Sequence, residues 1–318
     1  MTIVNDCEEM PGVMPQAIAG ISGGRTSARM AYMVRGAVLC FQNTGKEHAQ
    51  TLEFLQRLEE DLDEEIVRLE FRAPARGEPP RMSTFERVDH AHLSRKGEPF
   101  LDMLECVRTY RKKVKGAGPI APWARSRICT AYLKIRTQEK YCKSLGWEDW
   151  TEYVGLRYDE PDRVSRMREH NDQRDTDRRA PLYELEITKA DVMRFWAAMP
   201  FDLGLPEYLG NCDACFLKDE RDLADALVDD SVDAKFWTDI ERKYAPMRRG
   251  RPSYAQVLAE APERLRIRAA LARGEEPRSR LSKKRHLLVV RQEQQPRQVW
   301  SCGCEGAERL TDEAVLSA

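Results

Sequence analysis

The chain lacks any apolar run near the roughly 18 to 20 residues that cross a bilayer, and its first residues carry neither the basic nor the apolar region of a secretory signal. That pattern predicts no membrane span and a cytoplasmic location. An excess of charge of one sign is also missing. Lys and Arg number 52 against 53 Asp and Glu, a formal net charge of −1, so no whole-molecule field argues for nucleic acid and only local basic patches remain. No internal repeat is visible, and the spacing Gly-x4-Gly-Lys-Ser/Thr of a Walker A loop is absent. Nine cysteines without an export signal are poorly explained by disulfides, because the cytoplasm keeps thiols reduced. Metal or redox chemistry is the better question.

What is present is a soluble profile, 42% hydrophobic and 33% charged over 318 residues, enough chain to bury a substantial core. Residues 16–21 read as a buried strand that enters a Gly-rich loop and then an amphipathic helix over 26–34. A second apolar run, 37–41, is followed by Asn43-Thr44-Gly45 and by Leu52, Leu55 and Leu58 at three-residue spacing, and 65–71 alternates like a third strand. This βαβαβ order predicts an α/β fold with an open parallel sheet flanked by helices and ligands at the carboxyl ends of its strands. Beyond it we expect an insertion over about 73–125, a helix over 130–145, a strand over 151–156 and a charged flap, loop or exposed helix, over 163–179. Thr188 with Asp191 predicts a capped helix over 188–199. Residues 1–218 are expected to form the nucleotide-binding domain and 219–318 a helical C-terminal region with a cysteine-containing tail, in which 287–290 pairs with 298–300 as a terminal hairpin.

The loop Ser22-Gly23-Gly24-Arg25-Thr26-Ser27 closes the first strand. Its glycines let backbone amides turn toward a ligand, the following helix start favours an anion, and Ser22, Thr26, Ser27 and Arg25 add donors. A plain strand-to-helix turn is the alternative. The loop resembles the SGGxxS signature of the PP-loop, or adenine nucleotide alpha hydrolase, superfamily. Asn43-Thr44-Gly45-Lys46-Glu47, with Thr51 and Phe54, is similar to the second motif of the phosphoadenosine phosphosulfate (PAPS) reductases, with Asn43 in place of their Asp. Gly155-Leu156-Arg157-Tyr158-Asp159-Glu160 with Arg163 resembles their substrate-side segment, where arginines meet sulfate or phosphate. The resemblance spans about 16–218 and implies a five-stranded PP-loop sheet. It also implies an adenine nucleotide, either adenylyl sulfate or ATP, held by residues 22–27, Asn43, Thr44, Gly45, Gly155 and Arg163. ATP-cleaving members carry Lys-Asp inside the loop, the Asp serving magnesium; Arg25-Thr26 stands there instead, which weakens the expectation of magnesium-assisted ATP cleavage.

Cys212-Asp213-Ala214-Cys215 is a CxxC, and Cys302-Gly303-Cys304 a CxC. Alone, a CxxC suits a redox dithiol, zinc or iron and sulfur. Reductases of the adenylyl-sulfate type carry an adjacent Cys pair followed about 80 residues later by CxxC; here Cys129 stands in the right place, but Thr130 replaces the second Cys. The resemblance therefore implies a [4Fe-4S] cluster on Cys129, Cys212 and Cys215, with a fourth thiolate from Cys302, the better choice, or Cys304, or with one iron left open to sulfide or substrate; zinc is the alternative, and Lys134 stands at the family's lysine position. It implies a nucleophilic thiol near the C-terminus, best Cys304, although Cys304-Glu305-Gly306 reverses the family's order. Lys134 and Arg157 complete the expected catalytic set. Cys7, Cys40, Cys106 and Cys142 read as plain thiols.

His90 and His92, in a charged insertion, read as solvated rather than metal-binding. Arg111-Lys112-Lys113 with Lys115, and Arg248-Arg249 with Arg251, can track a nucleic-acid backbone or simply be solvated surface. Phe195-Trp196 packs a helix or stacks on a base. The leading expectation is a reductase-like sulfur-transfer enzyme with a thiol or electron-donor protein as partner. The rivals are ATP-dependent thiolation of tRNA or DNA, and a nucleotide-binding protein without turnover.

Overall fold

The computed structural model describes residues 16–295 apart from 114, 116, 117, 119, 175, 176 and 211. Three short strands, β1 (Ala17–Gly20), β2 (Val38–Asn43) and β3 (Ile66–Arg72), pair in parallel, joined by helices α1 (Arg25–Ala31) and α2 (Ala49–Leu62). Their side chains alternate between two buried faces. Ala17, Ala19, Leu39 and Phe41 enter the main core, while Ile18, Cys40, Val67 and Leu69 enter a smaller one with Tyr141 and Cys142. Burial on both faces is what helix-covered parallel strands require. In α2 the leucines at 52, 55, 58 and 62, with Phe54, form the buried stripe.

The sheet has six strands in the order β4-β3-β2-β1-β5-β6. Five of these, β3-β2-β1-β5-β6, are parallel, and β4 (Thr84–Arg87) adds an antiparallel edge from within the expected insertion. The sheet is thus mixed, not five-stranded and purely parallel. Its exposed pattern and charged residues left β4 without the apolar signal of a strand. Between β3 and β5 the chain forms α3 (Glu98–Arg111), a π-helical turn (Thr130–Ile135) and α4 (Arg136–Ser144). After β5 (Thr151–Tyr153), the expected flap is α5 (Pro161–Arg174) followed by β6 (Asp177–Arg179), a strand of three charged residues held at the edge by β5. A polar chain crosses under the sheet: Gln42 donates to Gln138, Gln138 to Glu152, and Arg178 also to Glu152, at 2.7–3.0 Å.

Downstream lie α6 (Pro181–Glu184), α7 (Lys189–Ala198), α8 (Glu220–Leu227), α9 (Ala234–Lys243), α10 (Tyr254–Ala272) and α11 (Lys283–Gln294). The expected capping box of Thr188 and Asp191 opens α7. The terminal hairpin is not formed as expected: residues 287–290 lie within α11, where Arg285 reaches Glu220 and Glu260, and Arg264 and Arg268 reach Glu293, tying that helix to α8 and α10. Its proposed partner, 298–300, lies outside the described residues. The main core runs without a break from Ala17 to Trp237, Tyr254 and Ala261, so α8–α10 pack on the same core as the sheet. No helix among the described residues is long and apolar enough to cross a membrane.

Candidate functional site

The chain leaves β1 for β2 on one side and later adds β5 on the other, so the strand order reverses between β1 and β5. A crevice at such a switch point, outside the carboxyl ends of the strands, is where open α/β sheets bind ligands. The loop after β1 and the loop after β5 flank it. Ser27 organises the first: its Oγ accepts the Ser22 amide at 3.0 Å, lies 2.9 Å from Ser22 Oγ and donates to Gly24 O at 3.1 Å. Gly23 has a φ of +78°, and a Cβ there would stand 2.4 Å from Thr51 Cγ2. Two constraints thus require glycine at this position. The loop after β5 comes as close from the other side, since a Cβ on Gly155 would lie 3.1 Å from Ser27 Cα. Arg157 Nη1 donates to Thr26 Oγ1 at 3.2 Å and links the two loops.

Three expected anion ligands already hold carboxylates. Arg25 forks onto both oxygens of Asp202, and Trp196 Nε1 donates to Arg25 O at 2.9 Å. Trp196 itself packs edge-on against Phe54, Tyr32 and Phe201, the packing role rather than a base platform. Arg157 is shared among Thr26, Asp159 at 2.9 Å and Glu160 at 3.3 Å, and Arg163 pairs with Glu160. Burial pulls the Arg163 pKa below the usual arginine value, with Glu160 opposing. An incoming anion would exchange with these carboxylates.

The second motif serves a different place. Asn43, fully buried, donates to Glu70 at 2.6 Å and to Ser94 O at 2.9 Å, and its Oδ1 accepts the Gly45 amide at 3.1 Å. Gly45, with φ +77°, packs within 2.9 Å of Gly97 as measured from an added Cβ. Thr44 donates its hydroxyl to Glu47 at 2.8 Å and stands 3.6 Å from Cys212 Sγ. Asn43 and Gly45 therefore build the loop, and Thr44 reaches the cysteines.

Cys129, Cys212 and Cys215 line one recess together with Thr44, Thr130, Lys134, Phe100, Phe216 and Trp237. Its volume is about 20 Å³, room for one water-sized sphere. Cys129 immediately precedes the π-helical turn that carries Thr130 and Lys134, a local departure of a kind often found at functional sites. Burial raises the Glu47 carboxyl above its usual range, and the charge of Lys134 lowers it in return. Among the described residues, the Thr130 hydroxyl, on a residue 1% exposed, has no hydrogen-bond partner.

The CxxC loop is pinned by polar contacts under the recess. Asp213 accepts from the Trp237 indole and from the Ala214 amide, each at 2.7 Å, and pairs with buried Lys46 at 3.0 Å. Lys46 Nζ also lies 4.5 Å from the Phe236 ring centre. The Asp213 amide donates to Lys46 O at 2.9 Å, and Tyr254 donates to Ala214 O at 2.6 Å. Cys302 and Cys304 lie outside the described residues. Among the described residues, no three His, Cys, Asp or Glu side chains stand in a group that could hold a metal ion. His92 pairs with Asp89 at the surface, and Cys40 and Cys142 are core thiols; burial pushes Cys142 up to about 12.

Sequence reasoning missed the carboxylates that meet the arginines and the aromatic walls of the recess. Asp159 and Glu160, next to Arg157 in its own segment, and Asp213, inside the CxxC, were the local signals; Asp202, Phe100 and Trp237 carry none.

The chain is similar to the uncharacterized nin region protein ORF290 of Escherichia phage lambda, 27% identical over 226 residues that span 67% of this chain and 70% of that protein. No family model matches the chain. No solved structure matches it.

Proposed function

We propose that the chain is a PP-loop enzyme similar to PAPS reductases, binding an adenine nucleotide at the β1–β5 crevice and using the cysteine recess for sulfur chemistry. The observation that carries this reading is the convergence of Cys129 with Cys212 and Cys215, over 80 residues away in sequence, beside Lys134 at the same sheet whose switch point holds Ser22 to Ser27. Three thiols, apolar walls and one lysine form a donor set whose chemistry fits an iron–sulfur cluster or zinc. Cys129, Cys212 and Cys215 would hold it, and such a group would supply electron-accepting or sulfur-binding character. In this reading the amides of the Ser22–Ser27 loop receive a phosphate or sulfate. Arg157 leaves Asp159 to orient that anion, and Lys134 balances negative charge at the recess.

Anaerobic purification with iron, zinc and sulfide analysis, followed by assay with an adenylyl sulfate and a thiol donor, tests the proposal. Sulfite release that is lost in Cys212→Ser supports it. A protein without metal that releases no sulfite contradicts the reductase reading. AMP and pyrophosphate formed from ATP only when nucleic acid is present would replace it with thiolation.

A further inference from the structure

Away from the crevice, two basic segments far apart in sequence meet over an aromatic ring. Trp123 and Ser126 exchange backbone hydrogen bonds at 2.9 and 3.1 Å, closing a tight turn whose tip is Ala124 and exposed Arg125. The Arg249 guanidinium sits 4.3 Å from the centre of the Trp123 ring. Arg111, at the end of α3, is close enough that Arg249 disfavours its charge, after burial has already done so. Arg251 likewise opposes the charge of Arg248, whose pKa burial lowers first. Among the described residues, Arg125, Arg249 and Arg251 form no ion pair. Like charges gathered without neutralisation cost folding energy, and this face keeps them beside an indole.

We infer that the face formed by Trp123, Arg125, Arg249 and Arg251, with Arg111 behind it, binds single-stranded nucleic acid. Guanidinium groups meet successive phosphates, and the Trp–Arg pair offers a surface on which an unpaired base stacks. A duplex hides its base faces, and this surface is made of loops with no helix offered to a major groove. Among the described residues, Trp123 Nε1 and Ser126 Oγ are buried without hydrogen-bond partners at the base of this turn. Both loops also abut the cysteine recess. The first runs on directly into Cys129. In the second, Arg248 donates to Phe216 O at 3.1 Å and Lys218 O at 2.9 Å, next to Cys215. The binding itself does not depend on the nucleotide reading.

The test is fluorescence anisotropy of the full chain with a labelled single strand of about 20 nucleotides, titrated between about 50 and 200 mM salt. Saturable binding that weakens with salt is expected. The doubly substituted R125E/R249E, whose positions are exposed and form no ion pair among the described residues, should bind at least about tenfold more weakly, its salt slope shallower by about 0.7 for each phosphate no longer neutralised. Trp123→Ala should also weaken binding about tenfold while keeping more of the salt slope. Absence of saturable binding, wild-type affinity and slope in R125E/R249E, or equal competition by polyglutamate would overturn the inference. Tighter binding of a duplex of equal length would overturn its single-stranded part.

Discussion

At Gly23 a single hydrogen atom decides whether the loop after β1 can close. Alanine would place a Cβ 2.4 Å from Thr51 Cγ2 on a backbone whose φ of +78° already disfavours a side chain. Gly23→Ala should therefore cost about 1–3 kcal/mol, measured as a lower urea midpoint at unchanged slope. Wild-type stability would show that Thr51 yields freely. Thiols differ just as sharply by position. Burial, reinforced by Glu152, holds the Cys142 thiol up at about 12, so the reactive thiolate is scarce near neutral pH. Iodoacetamide on the native protein at pH 8 should leave Cys142 unmodified in peptide mass spectra and label it once the chain is unfolded. Native labelling at the unfolded rate would contradict this account of the second core.

Among elements, the CxxC loop depends on one buried ion pair. Lys46 and Asp213 are 6% and 8% exposed, and the carboxylate also anchors Trp237 and the Ala214 amide. Removing one partner strands the other charge, so Asp213→Ala should destabilise by about 3–5 kcal/mol, while replacing both with apolar residues restores much of it. Chemical unfolding of the single and double variants checks this. A second tie joins α3 to α9 at Glu105. Desolvation opposes its charge, but donors from Lys243, Tyr244 and Arg108 outweigh it and hold the carboxyl at about 2, below its ordinary 4.5. A depressed folded pKa contributes stability above the unfolded value and loses it as pH falls. The contribution should fade between about pH 4.5 and 2, reduced by solvent screening because Glu105 is partly exposed. Glu105→Gln should flatten the fall in thermal stability over that window, and an unchanged acid limb would contradict the tie.

For the molecule as a whole, the sequence revealed the periodic parts. Strands β1 to β3, helix α2 and the cap of α7 have strong apolar spacing or a local capping pair, and they form near where that spacing puts them. Strands β4 and β6 escaped because they are short and charged, and an edge position tolerates what a central strand does not. Residues 287–290 look β-forming in isolation, yet Arg264, Arg268 and Arg285 hold that segment as a helix by tertiary ion pairs that no local pattern encodes. At the site, residue types were legible and their partners were not. Cys129, Cys212 and Cys215 do share a recess. Arg25 and Arg157 were read as anion ligands, and the fold pairs them with Asp202, Asp159 and Glu160, since a guanidinium fork matches a nearby carboxylate. The central claim is that the switch-point crevice takes an adenine nucleotide through the Ser22–Ser27 loop. Isothermal titration of the full chain, prepared anaerobically, with adenosine 5′-phosphosulfate tests it most directly. The account predicts one saturable site per chain that weakens at least about tenfold in Ser27→Ala, because the hydroxyl that holds the Ser22 amide and the Gly24 carbonyl in place is lost; no saturable heat, or equal affinity in Ser27→Ala, would contradict it.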